Sequence, residues 1–484
     1  MSSTETLREW GHHIGGAPRG SATKSWSPVL NPFNGETFAL VASGDARDVD
    51  AAVEAAAAVA PQWAATPWAT RAAMLRQLAD AIEDDAEDLA RLDVLDAGIP
   101  IRGMRRDVKN AVGYLRYYAG LASELKGHSL ERASTSLDVT TREPFGVVGR
   151  IVPFNHPFQF AVAAMAAPVA AGNAVVLKPA EQTPLSALRL AELASDVFPA
   201  GVFNVVAGGA EVGAALAAHP AVPRIGFTGS VATGRAVLRA AAEHIKVVTL
   251  ELGGKNPLIV CGDVAPSQAA DIALVGLNLQ RTAGQSCGST SRVYVHESIR
   301  APFVDELRER LEALTLGDPS DEQTDVGPLA YEAHCERVRG YIRAGLEDGA
   351  RIATGGPDRP DGLPGGCFVA PTVFDDVRDE MRIAREEIFG PVVSVLGWSD
   401  EADVVARANA LDLGLTANVA TNDLSAALRL SRALEAGYVW VNGRGQRPLG
   451  APFGGHKQSG LGEENTLEEL LSYTRKKQIS MSEV

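Results

Sequence analysis

RIVPFNHPFQFAVAAMAAPVAAGNAVVLK, residues 150–178, reads as strand, turn, buried helix and strand. No formal charge falls between Arg150 and Lys178, and the run is long enough to span a bilayer. Pro153, Pro157 and Pro168 interrupt it, together with Asn155, His156, Gly172 and Asn173. A lipid-spanning helix of this sequence leaves backbone groups unpaired, so a place inside a protein core is expected instead. The flanks repeat the pattern. β-rich runs at 147–152, 174–177, 202–206, 224–227, 247–250, 257–260 and 292–296 alternate with helical stretches. That alternation predicts βαβ units and a largely parallel sheet, an α/β fold.

Helices are marked by periodicity. Leu75, Leu78, Ile82, Ala86 and Leu89 recur at helical spacing and predict one amphipathic helix, as do Phe303, Leu307, Leu311 and Leu314. The Ala-rich stretch 51–65 reads as a helix with small packing residues. Thr183-Pro184 predicts a helix start, with Thr183 as the cap and Pro184 at the first helical position.

The chain has 484 residues, too many for one hydrophobic core, so at least two domains are expected. Hydrophobic residues make up 46% and charged residues 22%, which argues against wholesale disorder. With 45 Lys plus Arg against 60 Asp plus Glu, the net charge is −15. A nucleic-acid partner is therefore not expected, because phosphate attraction needs a basic face. Cys261, Cys287, Cys335 and Cys367 are scattered and form no CxxC pair, so neither a disulfide framework nor a zinc site is expected. Residues 1–10 lack the apolar core of a signal peptide, and a cytoplasmic location is the expectation.

Four segments carry chemistry: PFNHP at 153–157, LKPAEQTP at 177–184, ELGGKNP at 251–257 and GQSC at 284–287. Singly, each has a plain structural explanation. A cysteine is usually a small buried hydrophobe, and an Asn between prolines usually bonds its own backbone. Together they supply a thiol nucleophile, an amide donor for an oxyanion and a carboxylate to activate water: Cys287, Asn155 and Glu251. Gly284 and Gly288 flank the sulfur with small residues that let a substrate approach.

With REPFGVVG at 142–149, FTGS at 227–230, EEIFGPV at 386–392 and PFGGHKQSG at 452–460, the ordered set resembles the aldehyde dehydrogenase superfamily over nearly the full chain. The resemblance implies that Cys287 attacks the aldehyde carbon and that Asn155, with the Cys287 N–H, forms the oxyanion hole. Hydride then passes to a nicotinamide, and Glu251 activates the hydrolytic water. It implies Lys178 and Glu181 at the adenosine ribose, with Lys178 also in the catalytic set. Ser230 and Gly229 fall at the pyrophosphate turn, Glu387 at the nicotinamide ribose, and Phe154 and Phe389 beside the ring. No GxGxxG is expected in this family, and none stands near the FTGS turn. A carboxylate at Glu181 accepts from a free 2′-hydroxyl and repels a 2′-phosphate, which favours NAD over NADP. No metal is implied.

The substrate tunnel, by resemblance, takes in His156, Gln159, Ser286, Arg447 and Phe453. The family usually has Trp before the Asn and an aromatic after it, where this chain has Phe154 and His156. His156 is read either as a polar tunnel contact or as a hydrogen-bonded structural residue. Arg444 and Arg447, in the loop before PFGG, are expected either to clamp a carboxylate on a semialdehyde or to face solvent or a partner subunit.

The architecture implied is a Rossmann-like cofactor domain (1–126 and 142–253), a second α/β catalytic domain (254–453) and oligomerisation segments. The latter are a β hairpin (127–141, with Thr135, Val139 and Thr140) and a tail (470–484) that adds an edge strand to a neighbour. A homo-oligomer, dimer or tetramer, follows. The reaction expected is NAD-dependent oxidation of a small-molecule aldehyde to the acid, with no membrane partner. Two alternatives stand beside it. A CoA-acylating semialdehyde dehydrogenase usually lacks the general-base Glu that Glu251 supplies here. A catalytically silent relative would have lost Cys287, Glu251 or Asn155.

Overall fold

The computed structural model describes residues 7–133, 136–443 and 445–482. β1 (Val147–Ile151) leads into α1 (Pro157–Ala170), and the chain returns through β2 (Ala174–Lys178), as the patterning of 150–178 predicts. Pro157 sits at the start of α1, where its missing N–H costs nothing, and Pro168 falls in the last turn. Every residue of α1 is buried except Phe160 and Ala163, and both of these face a cavity.

β3 (Phe203–Val205), β4 (Arg224–Thr228), α2 (Val231–Ala242) and β5 (Val247–Glu251) complete the frame. The five strands run parallel in the order β3-β2-β1-β4-β5. The chain winds outward from β1 to β3, then crosses back to β4 and winds out the other way. Between β1 and β4 the connections diverge, leaving a crevice at the carboxyl ends of the strands, where α/β sheets bind ligands. His12–Ile14 and Ala17–Arg19 extend one edge antiparallel, and Gly460–Leu461 extends the other.

A second sheet orders β8 (Thr372–Asp375), β9 (Val392–Trp398), β7 (Arg292–His296), β6 (Pro257–Val260), β10 (Thr416–Ala420) and β11 (Tyr438–Val441), all parallel. Arg351–Thr354 flanks it antiparallel. Two buried apolar clusters underlie the two sheets. One runs from Trp10 to Leu252 and takes in Leu470 and Tyr473, and the other runs from Leu258 to Leu434. Among the described residues no helix is long and apolar enough to cross a membrane.

Four local expectations are corrected. The residues Leu75 to Leu89 form two helices, Trp68–Asp84 and Ala86–Ala97, not one. The break is at Asp85, whose carboxylate is gripped through both oxygens by Arg189 at 2.8 and 3.0 Å. Leu314 lies past the end of its helix, Arg300–Glu312. Thr183 does not cap the helix Leu185–Ser195. The buried Asp96 carboxylate accepts the Leu185 N–H at 2.9 Å instead, a partner 89 residues away. The tail strand Thr474–Ser482 pairs antiparallel with Ser136–Pro144 of its own chain, from Thr474–Pro144 to Ser482–Ser136, and forms an edge of that three-stranded sheet. The hairpin thus extends beyond 141, and Thr135 lies outside the described residues.

Candidate active site

Each predicted chemical group stands where a strand ends. Phe154 and Asn155 lie in the loop after β1, Gly229 and Ser230 after β4, and Glu251 ends β5. Cys287 comes from the second sheet's side, in the loop before β7. Its turn requires a glycine: Gly284 has φ +76°, and a Cβ there would lie 2.4 Å from the Gly390 carbonyl oxygen. Gln285 pins the loop, donating through Nε2 to the Thr282 carbonyl at 3.0 Å and accepting the Ala330 N–H at 3.1 Å. Asn256 donates to the carbonyls of Cys287 (2.7 Å) and Ser289 (2.9 Å) and accepts the Thr416 N–H at 3.0 Å. That clamp, which motif reading did not assign, fixes the backbone around the sulfur.

Asn155 is buried, and one of its two amide N–H groups donates to the Gln285 carbonyl at 2.8 Å, tying the two loops together. The second amide hydrogen remains for another acceptor. The Cys287 N–H has no acceptor among the described residues. Burial pushes the Cys287 thiol up to about 11, and Arg447 draws it back down. Glu251 is buried, and neither carboxylate oxygen has a hydrogen-bond partner among the described residues. Burial first, then Glu464 and Glu469, hold its proton well above the usual carboxylate range.

Two cavities meet at these groups. One of about 490 Å³ is lined by Gln159, Arg447 and Phe453, among others. One of about 250 Å³ is lined by Phe154, Asn155, Gly229, Ser230, Glu387 and Phe389. Phe160, Thr228, Glu251 and Cys287 line both. A reacting atom at Cys287 is therefore reachable from two sides.

The smaller cavity sits at the crevice between β1 and β4. Ser230 caps the 12-residue helix α2, accepting the Thr233 N–H, so helix-start N–H groups face it. Glu387 accepts the Gly254 N–H at 3.1 Å, and burial raises its carboxyl to about 7. It approaches so closely that a Cβ on Gly253 would lie 2.1 Å from its oxygen. Phe389 is held at φ +60°, its carbonyl accepting from His334 Nε2 at 2.7 Å; Phe154 packs edge-on against its ring, and Tyr331 packs edge-on against Phe154. Anion-binding N–H groups, a carboxylate for a ribose and an aromatic wall fit a dinucleotide. Tyr331 and His334 belong to no motif, and no sequence signal pointed to them.

Other expectations are placed differently. Lys178 lines neither cavity. Its ammonium donates to the Pro179 carbonyl at 2.8 Å, and burial lowers it to about 8, with Glu181 drawing it back up. It stands at the end of β2. Glu181 lies against the Gly208-Gly209 turn after β3, where a Cβ on Gly209 would lie 2.7 Å from its oxygen. His156 lines neither cavity: its Nδ1 meets Asp107 at 2.5 Å, and Arg281 holds the other Asp107 oxygen at 2.8 Å. The structural reading of His156 therefore applies, because a buried carboxylate captures the ring. Ser286 also lines neither cavity, its hydroxyl turned to Asn278 at 3.4 Å. Arg444 lies outside the described residues.

Residues 19–479 match the model of the Aldehyde dehydrogenase family. A hydroxyisobutyraldehyde dehydrogenase of Mycolicibacterium austroafricanum is 45% identical over 459 residues, 94% of this chain and 90% of that protein. The aldehyde dehydrogenase tropH of Talaromyces stipitatus is 43% identical over 468 residues, 95% of this chain and 91% of that protein. The NAD+ complex of an aldehyde dehydrogenase from Bacillus cereus superposes with a TM-score of 0.95 at 39% identity, covering 98% of this chain and 97% of that one.

Proposed function

The chain belongs to the aldehyde dehydrogenase family, and on that premise we propose that it oxidises an aldehyde to the carboxylic acid with NAD, using Cys287 as nucleophile. The observation that carries this reading is the meeting of the two cavities at Cys287 and Glu251. The Cys287 thiol passes its proton to water, and the thiolate sulfur attacks the aldehyde carbon, forming a C–S bond while the C=O π pair moves to the oxygen. The carbonyl oxygen becomes an oxyanion held by the free Asn155 N–H and the Cys287 N–H. Collapse of the oxyanion to a carbonyl expels hydride from the same carbon and leaves a thioester on Cys287; NAD, when held in the smaller cavity, would be the two-electron acceptor of that hydride. Glu251 then takes a proton from the water that attacks the thioester carbonyl, the C–S bond breaks, and the sulfur leaves with its electron pair. A base with a raised pKa suits this step, since it accepts a proton strongly near neutrality.

The test is NADH absorbance on adding a panel of aldehydes, with and without CoA. NADH formation with free acid as product and no CoA requirement supports the reading. A strict CoA requirement assigns the acylating alternative. No signal from folded, NAD-binding protein overturns it. Asn155→Ala should lower kcat about 10²–10³-fold while KM changes little, because the oxyanion forms only after binding.

Glu181 supports NAD over NADP, its carboxylate accepting from a 2′-hydroxyl and repelling a 2′-phosphate. Glu181→Gln should cut the NAD-to-NADP ratio of kcat/KM roughly tenfold by removing that charge. An unchanged ratio refutes the role. The two apolar clusters support a cofactor domain and a catalytic domain dividing near 253–254. Leu130, Leu137, Ile479 and Met481 are exposed apolar residues on the three-stranded sheet, which supports homo-oligomerisation, as a dimer or homotetramer. Four free cysteines support a reducing, cytoplasmic setting.

A further inference from the structure

The larger cavity is lined by Arg106, Lys109, Tyr114, Gln159, Arg447 and Phe453, beside Cys287. Arg106 and Lys109 stand three residues apart on the helix Ile101–Leu121, so they share one face of it. Their neighbours on that helix are neutralised: Arg102 by Asp325, Arg105 by Glu87 and Glu322, and Arg116 by Asp80 and Glu83. Arg281, also on the wall, is held by Asp107. Arg106, Lys109 and Arg447 form no ion pair among the described residues. In a chain with 60 acidic against 45 basic residues, three unpaired cations around one cavity need a reason. Glu464, a carboxylate on the same wall, is engaged by Arg150 at 2.8 Å.

The Arg447 guanidinium lies 4.5 Å from the centre of the Phe453 ring, which fixes its plane while leaving its N–H fork available. Gln159 accepts from Asn110 Nδ2 at 3.0 Å through its carbonyl oxygen, so its two amide hydrogens remain donors. The Tyr114 hydroxyl has no partner among the described residues, and burial raises its pKa, which keeps its proton in place. A fixed guanidinium with amide and hydroxyl donors nearby matches a planar, two-oxygen anion.

We propose that the substrate is an ω-oxo acid, whose carboxylate is held by Arg447, Tyr114 and Gln159 while its aldehyde carbon reaches Cys287. Arg106 and Lys109 draw the anion toward the cavity. The inference rests on the proposed oxidation at Cys287.

The experiment compares succinic semialdehyde with butanal, and glutaric semialdehyde with pentanal, in the wild-type enzyme with NAD. It is read as the ratio of kcat/KM for the acid-bearing to the neutral aldehyde, so a general loss of activity cancels. The wild type should favour at least one semialdehyde by about 100-fold, a single charge-assisted clamp. Arg447→Gln should collapse that ratio about 100-fold, chiefly through KM, and Arg447→Lys should restore part of it. Substituting Arg106→Gln and Lys109→Gln together should lower kcat/KM for the semialdehyde several-fold at low salt, an effect that added salt erases. Oxidation of the neutral aldehydes with ratios near one overturns the clamp but leaves the oxidation reading intact. An equal loss on both substrates in Arg447→Gln also overturns it, since that marks an effect on the thiol. No oxidation of any of the four overturns both.

Discussion

Replacing Cys287 with alanine is expected to lower kcat on the order of 10⁴-fold or more, with NAD affinity changed less than about twofold. The argument is geometric. Cys287 is the cysteine that lines both cavities, while Cys261, Cys335 and Cys367 are buried within the second apolar cluster. Deleting the sulfur removes the covalent step, but the smaller cavity is built from Ser230, Glu387 and Phe389, which the change leaves in place. NADH absorbance and NAD titration check the two halves. A residual rate within tenfold of wild type refutes the assignment. The thiol also has a pH signature. With its pKa pushed up to about 11, its thiolate fraction rises about tenfold for each pH unit below that value. Alkylation of Cys287 in the protein without cofactor should follow that slope, and a rate already at plateau near neutral pH contradicts it.

Glu251→Gln is expected to slow turnover about 10²–10⁴-fold by stalling the thioester, while leaving its formation fast. The first turnover then appears as a burst of about one NADH per active site, followed by a slow steady rate. Both Glu251 oxygens are buried and without a hydrogen-bond partner among the described residues, so the carboxyl resists ionising. Its proton must be lost before it can act as base. Wild-type hydrolysis should therefore rise with pH through a value well above the ordinary carboxylate range, and the Gln variant should lose that limb. Rapid-mixing fluorescence across pH measures both. Wild-type steady-state rates in Glu251→Gln, or a pH limb that survives the substitution, exclude the role.

The sheet and the reacting groups were legible because their determinants are local. The run 151–177 has no charge to place a helix on the surface and a proline where a helix must begin, so strand, helix and strand follow from adjacent residues. Asn155, Gly229, Ser230 and Glu251 fall just beyond strand runs, and strand ends converge in a parallel sheet. The smaller corrections share one cause. Asp85 breaks a helix because Arg189 grips it from another element, and Asp96 displaces Thr183 as the cap of the Leu185 helix. Periodicity within a segment carries no information about such distant partners. His156 is the same case: burial against Asp107 and Arg281, not its place after Asn155, decides where it points.

By itself the sequence determined the α/β alternation, the groups that can do covalent aldehyde chemistry and the family. Each depends on hydrophobic period, turn residues or a motif that is contiguous in the chain. Only the tertiary structure decided which groups share a wall. It set Tyr331 and His334 around Phe154, turned the tail back along its own hairpin strand, and gathered Arg106, Lys109 and Arg447 at one cavity from positions more than three hundred residues apart. The reason is physical. An ion pair left unmade, or a donor left free, is a property of all the neighbours in space, and those neighbours are fixed only when the two sheets close over one sulfur.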